Sequence, residues 1–190
     1  TSGTVTAAAA GITITGTTTE VKAAIVTEAT KAIMANGKVR LTDTGTVAAT
    51  VLSGIGAITE GTVTVNGAMT ITGSTEEIKN ALVTETSKVI ATTSANVTFV
   101  GDNPTGAQLA DINDAAGGTI TLANNAQTFT GTAAQMKSAF AGGLANTQTG
   151  AVTISDTTGT IAATVLTDIT AQTSGTVTAA AAGITITGTT

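Results

Sequence analysis

The sequence predicts an α/β protein built as a repeat solenoid of stacked strand–helix coils, with about 28 residues per coil and about 57 per unit. Three observations carry this reading. The last stretch, Thr173–Thr190, reads TSGTVTAAAAGITITGTT, letter for letter the same as Thr1–Thr18, so the chain begins a second long period at Thr173. Inside that period the pattern G-T-[VI]-T returns at Gly3, Gly61, Gly118 and Gly175, at spacings of 58, 57 and 57, so three diverged units fill it. Within each unit, stretches of period-two alternation are followed by helix-start signals and helically spaced apolar residues, the mixture a strand–helix repeat requires.

The units span residues 3–60, 61–117 and 118–174, and residues 175–190 open the next period. The chain therefore reads as a window on a longer array, with Thr1 and Thr190 at arbitrary points. Thr190 should continue into a counterpart of Thr19 and a capping Glu, and residues 173–190 should adopt the conformation of residues 1–18.

Each unit opens with GTVTAAAAGITITG (3–16), GTVTVNGAMTITG (61–73) or GTITLANNAQTFTG (118–131). Thr alternating with Val, Ile or Phe marks strands with one buried and one solvated face, expected near 4–7 and 12–15 and at their counterparts. Small or turn-forming residues between them, clearest at Asn66-Gly67, mark a turn or corner. Next come Thr17 to Glu20, Ser74 to Glu77 and Thr132 to Gln135, three capping boxes in register. In each, a cap hydroxyl accepts from the amide three residues on and the Glu or Gln reaches back.

The helices that follow are expected to run through Val21, Ala24, Ile25 and Ile33, through Ile78, Leu82, Val83 and Val89, and through Met136, Phe140 and Leu144. Lys22, Lys79 or Lys137 lies on the opposite face. A third strand follows as KVRLTD (38–43), NVTFVGD (96–102) or AVTISD (151–156), ending in Asp43, Asp102 or Asp156. A second, shorter helix is expected over GTVAATVL (45–52), PTGAQLADI (104–112) and GTIAATVL (159–166), where Pro104 suits a turn or a first helical position. The unit thus reads strand, strand, helix, strand, helix. One coil cannot bury its apolar face alone, so neighbours stack to form the core. The alternative is a string of small ββαβα domains, but units of that size with so few large apolar residues would be marginal.

Composition agrees with a thin, elongated core. Hydrophobic residues make up 42% of the chain, but they are mostly small or β-branched, and aromatics reach only 2%. There is no His, Cys, Trp or Tyr and only 10% of residues are charged, so the side chains of most catalytic machinery are scarce and disulfides and thiolate metal sites are excluded. A net charge of −5 with seven Lys and Arg in no track argues against nucleic-acid binding. No apolar run approaches the roughly 20 residues of a membrane span.

The wording of these elements carries a resemblance. A helix phrase running into G-T-[VI]-T, as in AQLADINDAAGGTIT (107–121), and strands such as TITGSTEEI (70–78) resemble the Thr/Ala-rich repeats of giant cell-surface proteins of marine cyanobacteria, including those linked to swimming motility. The resemblance covers essentially the whole chain. It implies a very long extracellular or cell-surface protein with a mechanical or coating role. The glycine- and aspartate-rich nonapeptides of calcium-binding surface repeats are missing here, so calcium dependence is not implied.

Several residues invite chemistry. Asp43, Asp102 and Asp156 recur at one place in the unit and could stack as a calcium-binding ladder, or satisfy backbone amides of a turn or helix start; the second is the expectation. The T-x-T pairs, such as Thr13/Thr15, Thr70/Thr72 and Thr128/Thr130, suggest a flat ice-binding array. Arg40/Thr42, Thr98/Val100 and Thr153/Ser155 in the alternate coils should interrupt it, and outward Thr is ordinary strand filler. Glu76/Glu77 and Asp111/Asp114 are carboxylate pairs that do not recur, so acid/base catalysis is not expected. Asn96-Val97-Thr98 matches a glycosylation acceptor within a strand. The expectation is a non-catalytic structural module of a giant secreted protein forming a fibre, stalk or surface layer, with no cofactor. Its partner is itself, through repeat stacking and lateral filament contacts. The alternative is the spacer array of a surface adhesin whose ligand-binding domain lies elsewhere.

Overall fold

Alternating Thr and β-branched residues in short runs, each separated from the next partner by a helix, suit parallel pairing across a crossover. The computed structural model, which describes residues 5–7, 11–27, 32–34, 36–65, 69–84, 89–91, 95–141, 143–179 and 181–188, has this architecture. The first unit contains β1 (Val5–Ala7), β2 (Thr13–Gly16), α1 (Thr18–Val21) continuing as a π-helical segment over Lys22–Thr27, β3 (Ala32–Met34), β4 (Lys38–Leu41), β5 (Thr46–Ala48) and α2 (Ala49–Gly56). The second contains β6 (Val63–Val65), β7 (Thr70–Gly73), α3 (Thr75–Leu82), β8 (Val89–Ala91), β9 (Ala95–Phe99) and α4 (Gly106–Ala116). The third contains β10 (Gly117–Thr121), β11 (Phe129–Gly131), α5 (Ala133–Phe140), β12 (Val152–Ile154), β13 (Thr158–Ala162) and α6 (Ala163–Thr170), followed by β14 (Val177–Ala179) and β15 (Gly183–Thr187).

Every described ladder is parallel, and every paired strand encloses one helix with its partner. The sheets run β2–β4–β6–β8, β5–β7–β9–β10, β11–β12–β14, β13–β15 and β1–β3. Ile120 bridges onward to Leu144, and Gln148 to Thr173. Register follows the inward residues. Val47, Ile71, Val97 and Ile120 form one buried row, and Val39, Val63 and Val89 another. The helices close the core from the other side, with Leu52, Ile55, Ile78, Leu109, Ile112 and Met136 fully buried. Phe129 and Phe140 meet edge to face at 5.5 Å.

Strand and helix spacings differ, and this shapes the sheets. Paired residues lie 22–27 positions apart, whereas the helix caps Thr17, Ala48, Ser74, Thr105, Thr132 and Ala162 are separated by 26–31. A ladder therefore drifts backward against the helices. β7 lies directly before α3, its partner β9 sits further ahead of α4, and the next partner, β10, follows α4. Strands equivalent in sequence are thus not partners in the sheet.

Two expectations are corrected. The first helix of each unit ends at Thr27, Leu82 or Phe140, so Ile33 and Val89 lie in β3 and β8 and Leu144 forms its bridge to Ile120. Their spacing fits a helix face, but β-branched residues beyond a helix end gain more in a parallel ladder, as Val89 does beside Val63. The second helix does not begin at the G-T. Thr46–Ala48 and Thr158–Ala162 are strands that pair with β7 and β15, and the helices start at Ala49 and Ala163. The unit is strand-richer than strand, strand, helix, strand, helix. The Asn66-Gly67 turn and Thr4 lie outside the described residues. The two copies of the repeated stretch both have a strand at Val5–Ala7 and Val177–Ala179, while their second strands, Thr13–Gly16 and Gly183–Thr187, coincide only over 13–15 and 185–187; residues 1–4, 8–10, 180, 189 and 190 lie outside the described residues.

Candidate functional site

The sequence candidates converge on the joints between successive crossovers. A helix start leaves four backbone N–H groups without intrahelical partners. At α1 the Thr17 hydroxyl accepts from the Glu20 amide at 3.3 Å, and Glu20 Oε2 accepts from the Thr17 amide at 2.8 Å and the Thr17 hydroxyl at 2.9 Å. The same box forms with Ser74 and Glu77 at α3 and with Thr132 and Gln135 at α5. The box leaves the amide of the first helical residue, Thr18, to be satisfied, and there Asp43 arrives from the loop between β4 and β5. Its Oδ2 accepts from the Thr18 amide at 2.7 Å and its Oδ1 from the Thr18 hydroxyl at 2.9 Å.

Asp102 accepts from the Thr75 amide at 2.9 Å and Asp156 from the Ala133 amide at 2.6 Å. Each carboxylate therefore caps the helix before it in the chain, and not the helix that follows it. The negative charge also sits at the positive end of the helix dipole. These are charge-assisted bonds that join two successive layers. One oxygen of each carboxylate that a calcium ladder would use accepts from a helix amide instead. Among the described residues no group of three or more Asp or Glu is placed to hold a metal ion. The two bonds that Thr17 donates to the Glu20 carboxylate hold it below the ordinary Glu value, chiefly through the Thr17 amide and then the Thr17 hydroxyl.

A second set of joints lies at the G-T-[VI]-T openings. Thr59 is 1% exposed and Thr173 7%, yet both are polar. The Thr59 hydroxyl donates to the carbonyl of Gly37 in the preceding layer and accepts from the Gly61 amide at 3.0 Å. Thr173 repeats this with Gly150 at 2.7 Å and Gly175 at 3.0 Å. Here the glycine is required by close approach. A Cβ on Gly61 would stand 2.5 Å from the Gly37 carbonyl oxygen, and Gly118 and Gly175 meet the backbone of the layer before them in the same way. The T-x-G signal was present in the sequence, at 59–61 and 173–175, and carries this joint.

Comparison of the chain with protein families, with characterised proteins and with solved structures yields no match.

Of the remaining candidates, Asn96 and Asp114 serve as joints, and Asp111 is exposed. Asn96 Oδ1 accepts from the Thr119 amide at 2.9 Å, so the acceptor asparagine of Asn96-Val97-Thr98 links β9 to β10. Asp114 Oδ1 accepts from Ser138 Oγ at 2.9 Å, and the neighbouring Asn113 amide donates to the Ser138 and Ala141 carbonyls, tying α4 to the end of α5. Glu77 belongs to its capping box, and Glu76 is exposed beside it. Around Pro104, which lies between β9 and α4, side chains link the loops: the Asn103 side-chain amide donates to the Asn124 carbonyl at 2.7 Å and its side-chain oxygen accepts from the Asn124 amide, and Gln127 donates to the Pro104 carbonyl at 2.7 Å. A fourth capping box, Thr105 with Gln108 at α4, was legible as T-x-x-Q but was not among the expected boxes.

The Thr array is more continuous than its spacing suggested. Thr72, Thr98 and Thr121 stand in one row, and Thr130, Thr153 and Thr178 in another, because strand partners lie closer in the chain than half a sequence unit. Thr98 and Thr153 are thus not interruptions, while Arg40, between Thr15 and Thr64, is. The concave features are shallow. Between α5 and α6 a groove of about 250 Å³ is crossed by a Lys137–Asp168 pair at 3.2 Å, both half exposed. Between α1 and α2 another of about 220 Å³ is lined by Lys22, Val26, Thr50, Val51 and Gly54. Among the described residues no helix is long and apolar enough to cross a membrane.

Proposed function

We propose that this chain is a section of an α/β solenoid serving as a non-catalytic structural module of a giant secreted protein, a fibre, stalk or surface layer. The observation that carries the proposal is where the polar side chains go. Asp43, Asp102, Asp156, Thr59, Thr173 and Asn96 each bond backbone of an adjacent layer. Side chains that would converge on a ligand in a binding protein are here used to lock one layer to the next. The mechanism is mechanical. Length comes from duplication within one covalent chain, and near-identical joints let the stack continue without a defect. Placement outside the cell follows from the absence of Cys, the Thr/Ala-rich composition and the resemblance to cyanobacterial surface repeats.

Electron microscopy with fibre diffraction of the native material tests the reading. The expected result is filaments with a meridional spacing of about 4.8 Å from the stacked parallel strands. Isolated globular particles without that spacing would refute it.

A further inference from the structure

Gln148 stands two residues before Gly150, the place that Thr59 and Thr173 hold before Gly61 and Gly175, and Gly150 meets the backbone of Ala126 and Gln127 as closely as those glycines meet theirs. The joint is nevertheless made differently. The Gln148 main chain is fixed to the next layer, its amide donating to the Gln172 carbonyl at 2.9 Å and its carbonyl accepting from the Ser174 amide at 2.7 Å. Its side chain is 1% exposed. Nε2 donates to Asn125 Oδ1 at 3.3 Å and to the Asn146 carbonyl at 3.4 Å, both longer than the usual range of about 2.7–3.2 Å. Oε1 is shut off from solvent and accepts from no group among the described residues. A buried amide with two long bonds and one orphan oxygen is an exception in a folded chain.

Half a turn of the terminal amide exchanges Oε1 and Nε2. One buried polar atom is left without a partner either way, so the difference lies at the Asn125 end. There the turned Oε1 takes the place of Nε2, 3.3 Å from Asn125 Oδ1 and 3.4 Å from the Asn146 carbonyl oxygen. Three oxygens so close repel one another unless a cation lies among them. Ligands at right angles around an ion bound at about 2.3–2.6 Å stand about 3.3–3.7 Å apart, which is this spacing. Magnesium, at about 2.0–2.1 Å, would draw them to about 2.8–3.0 Å, and the larger potassium ion would spread them. All three oxygens are neutral, with no carboxylate to offset a second charge, which favours a monovalent ion over calcium. Asn146 is exposed, so water can complete the shell from its side. We propose that Asn125 Oδ1, the Asn146 carbonyl and the turned Gln148 amide form a site for one monovalent cation of sodium's size. The site goes beyond the structural role proposed above and does not depend on it.

The test compares urea midpoints of the full chain in sodium chloride and in tetramethylammonium chloride at the same ionic strength. An ion that binds the folded chain raises its stability with each tenfold of ion once the site fills. The parent midpoint is therefore expected to rise with sodium above its value in tetramethylammonium, and to rise less with potassium. Gln148→Thr removes the amide and installs the residue that Thr59 and Thr173 show to suit this place. Asn125→Ala removes Oδ1 and keeps the Asn125 carbonyl that accepts from the Thr149 amide. Both substitutions are expected to abolish the difference between the two salts. The sodium NMR line width gives a second readout: the parent chain broadens the line, and N125A and Q148T do not. Should Q148T fail to fold, N125A and the line width of the parent carry the test. A parent midpoint that does not distinguish sodium from tetramethylammonium overturns the site. So does a difference that survives undiminished in either variant, because the ion then lies elsewhere.

Discussion

Asp43 illustrates how one side chain can hold two layers together. It satisfies the amide and hydroxyl of Thr18, a residue only 6% exposed, so its loss strands a buried donor. Asp43→Ala is expected to cost about 1 kcal/mol, the usual scale for a lost helix cap, read as a lower urea midpoint. Asp43→Asn keeps an accepting oxygen and is expected to lose less. Calcium should leave the midpoint of both the parent and D43N unchanged; a calcium-dependent rise in the parent that D43N abolishes would instead make Asp43 a ligand. Asp102 holds its helix with one bond where Asp43 uses two, because the Thr75 hydroxyl has no partner. The same substitution there is expected to cost less.

At the scale of elements, the helix starts divide by chemistry. α1 is closed by Glu20, whereas α5 is closed by Gln135, which does not titrate. Glu20 has its carboxyl held below the ordinary value in the folded chain. Its contribution is therefore complete above the ordinary Glu value, about 4.3, and is lost as pH falls through the depressed folded value. Glu20→Gln should accordingly flatten the acid side of the stability curve, checked by thermal melts from neutral pH down to about 3. Such boxes were legible because their chemistry is local: Thr17, Ser74 and Thr132 each announce a helix that forms. The ends of those helices were not legible. Val89 fits a helix face as well as a strand, and only its position beside Val63 in the preceding layer decides. The step from strand to partner was hidden for the same reason, since β7 finds its partner in β9 and not in its own counterpart. The three Asp residues stood out by recurrence, but nothing local shows that they reach back one layer. Thr59 and Thr173 look like exposed strand residues until the close approach at Gly61 and Gly175 buries them.

At the scale of the molecule, position in the stack outweighs residue identity. Ile71 is fully buried in the second unit, while Ile186, its counterpart on β15, is 54% exposed. Ile71→Ala is expected to cost about 2–5 kcal/mol by leaving a cavity, and Ile186→Ala well under about 1 kcal/mol, both read by denaturant unfolding. Near-equal losses would mean that Ile186 is covered in solution. The backward drift of the ladders has one more consequence. Because β5, β7, β9 and β10 pass from the front of one helix to the rear of another, no ladder among the described residues keeps one place against the helices. Among the described residues the ladders are therefore shared out among several short sheets, and a tear opening along one of them is expected to end with that sheet.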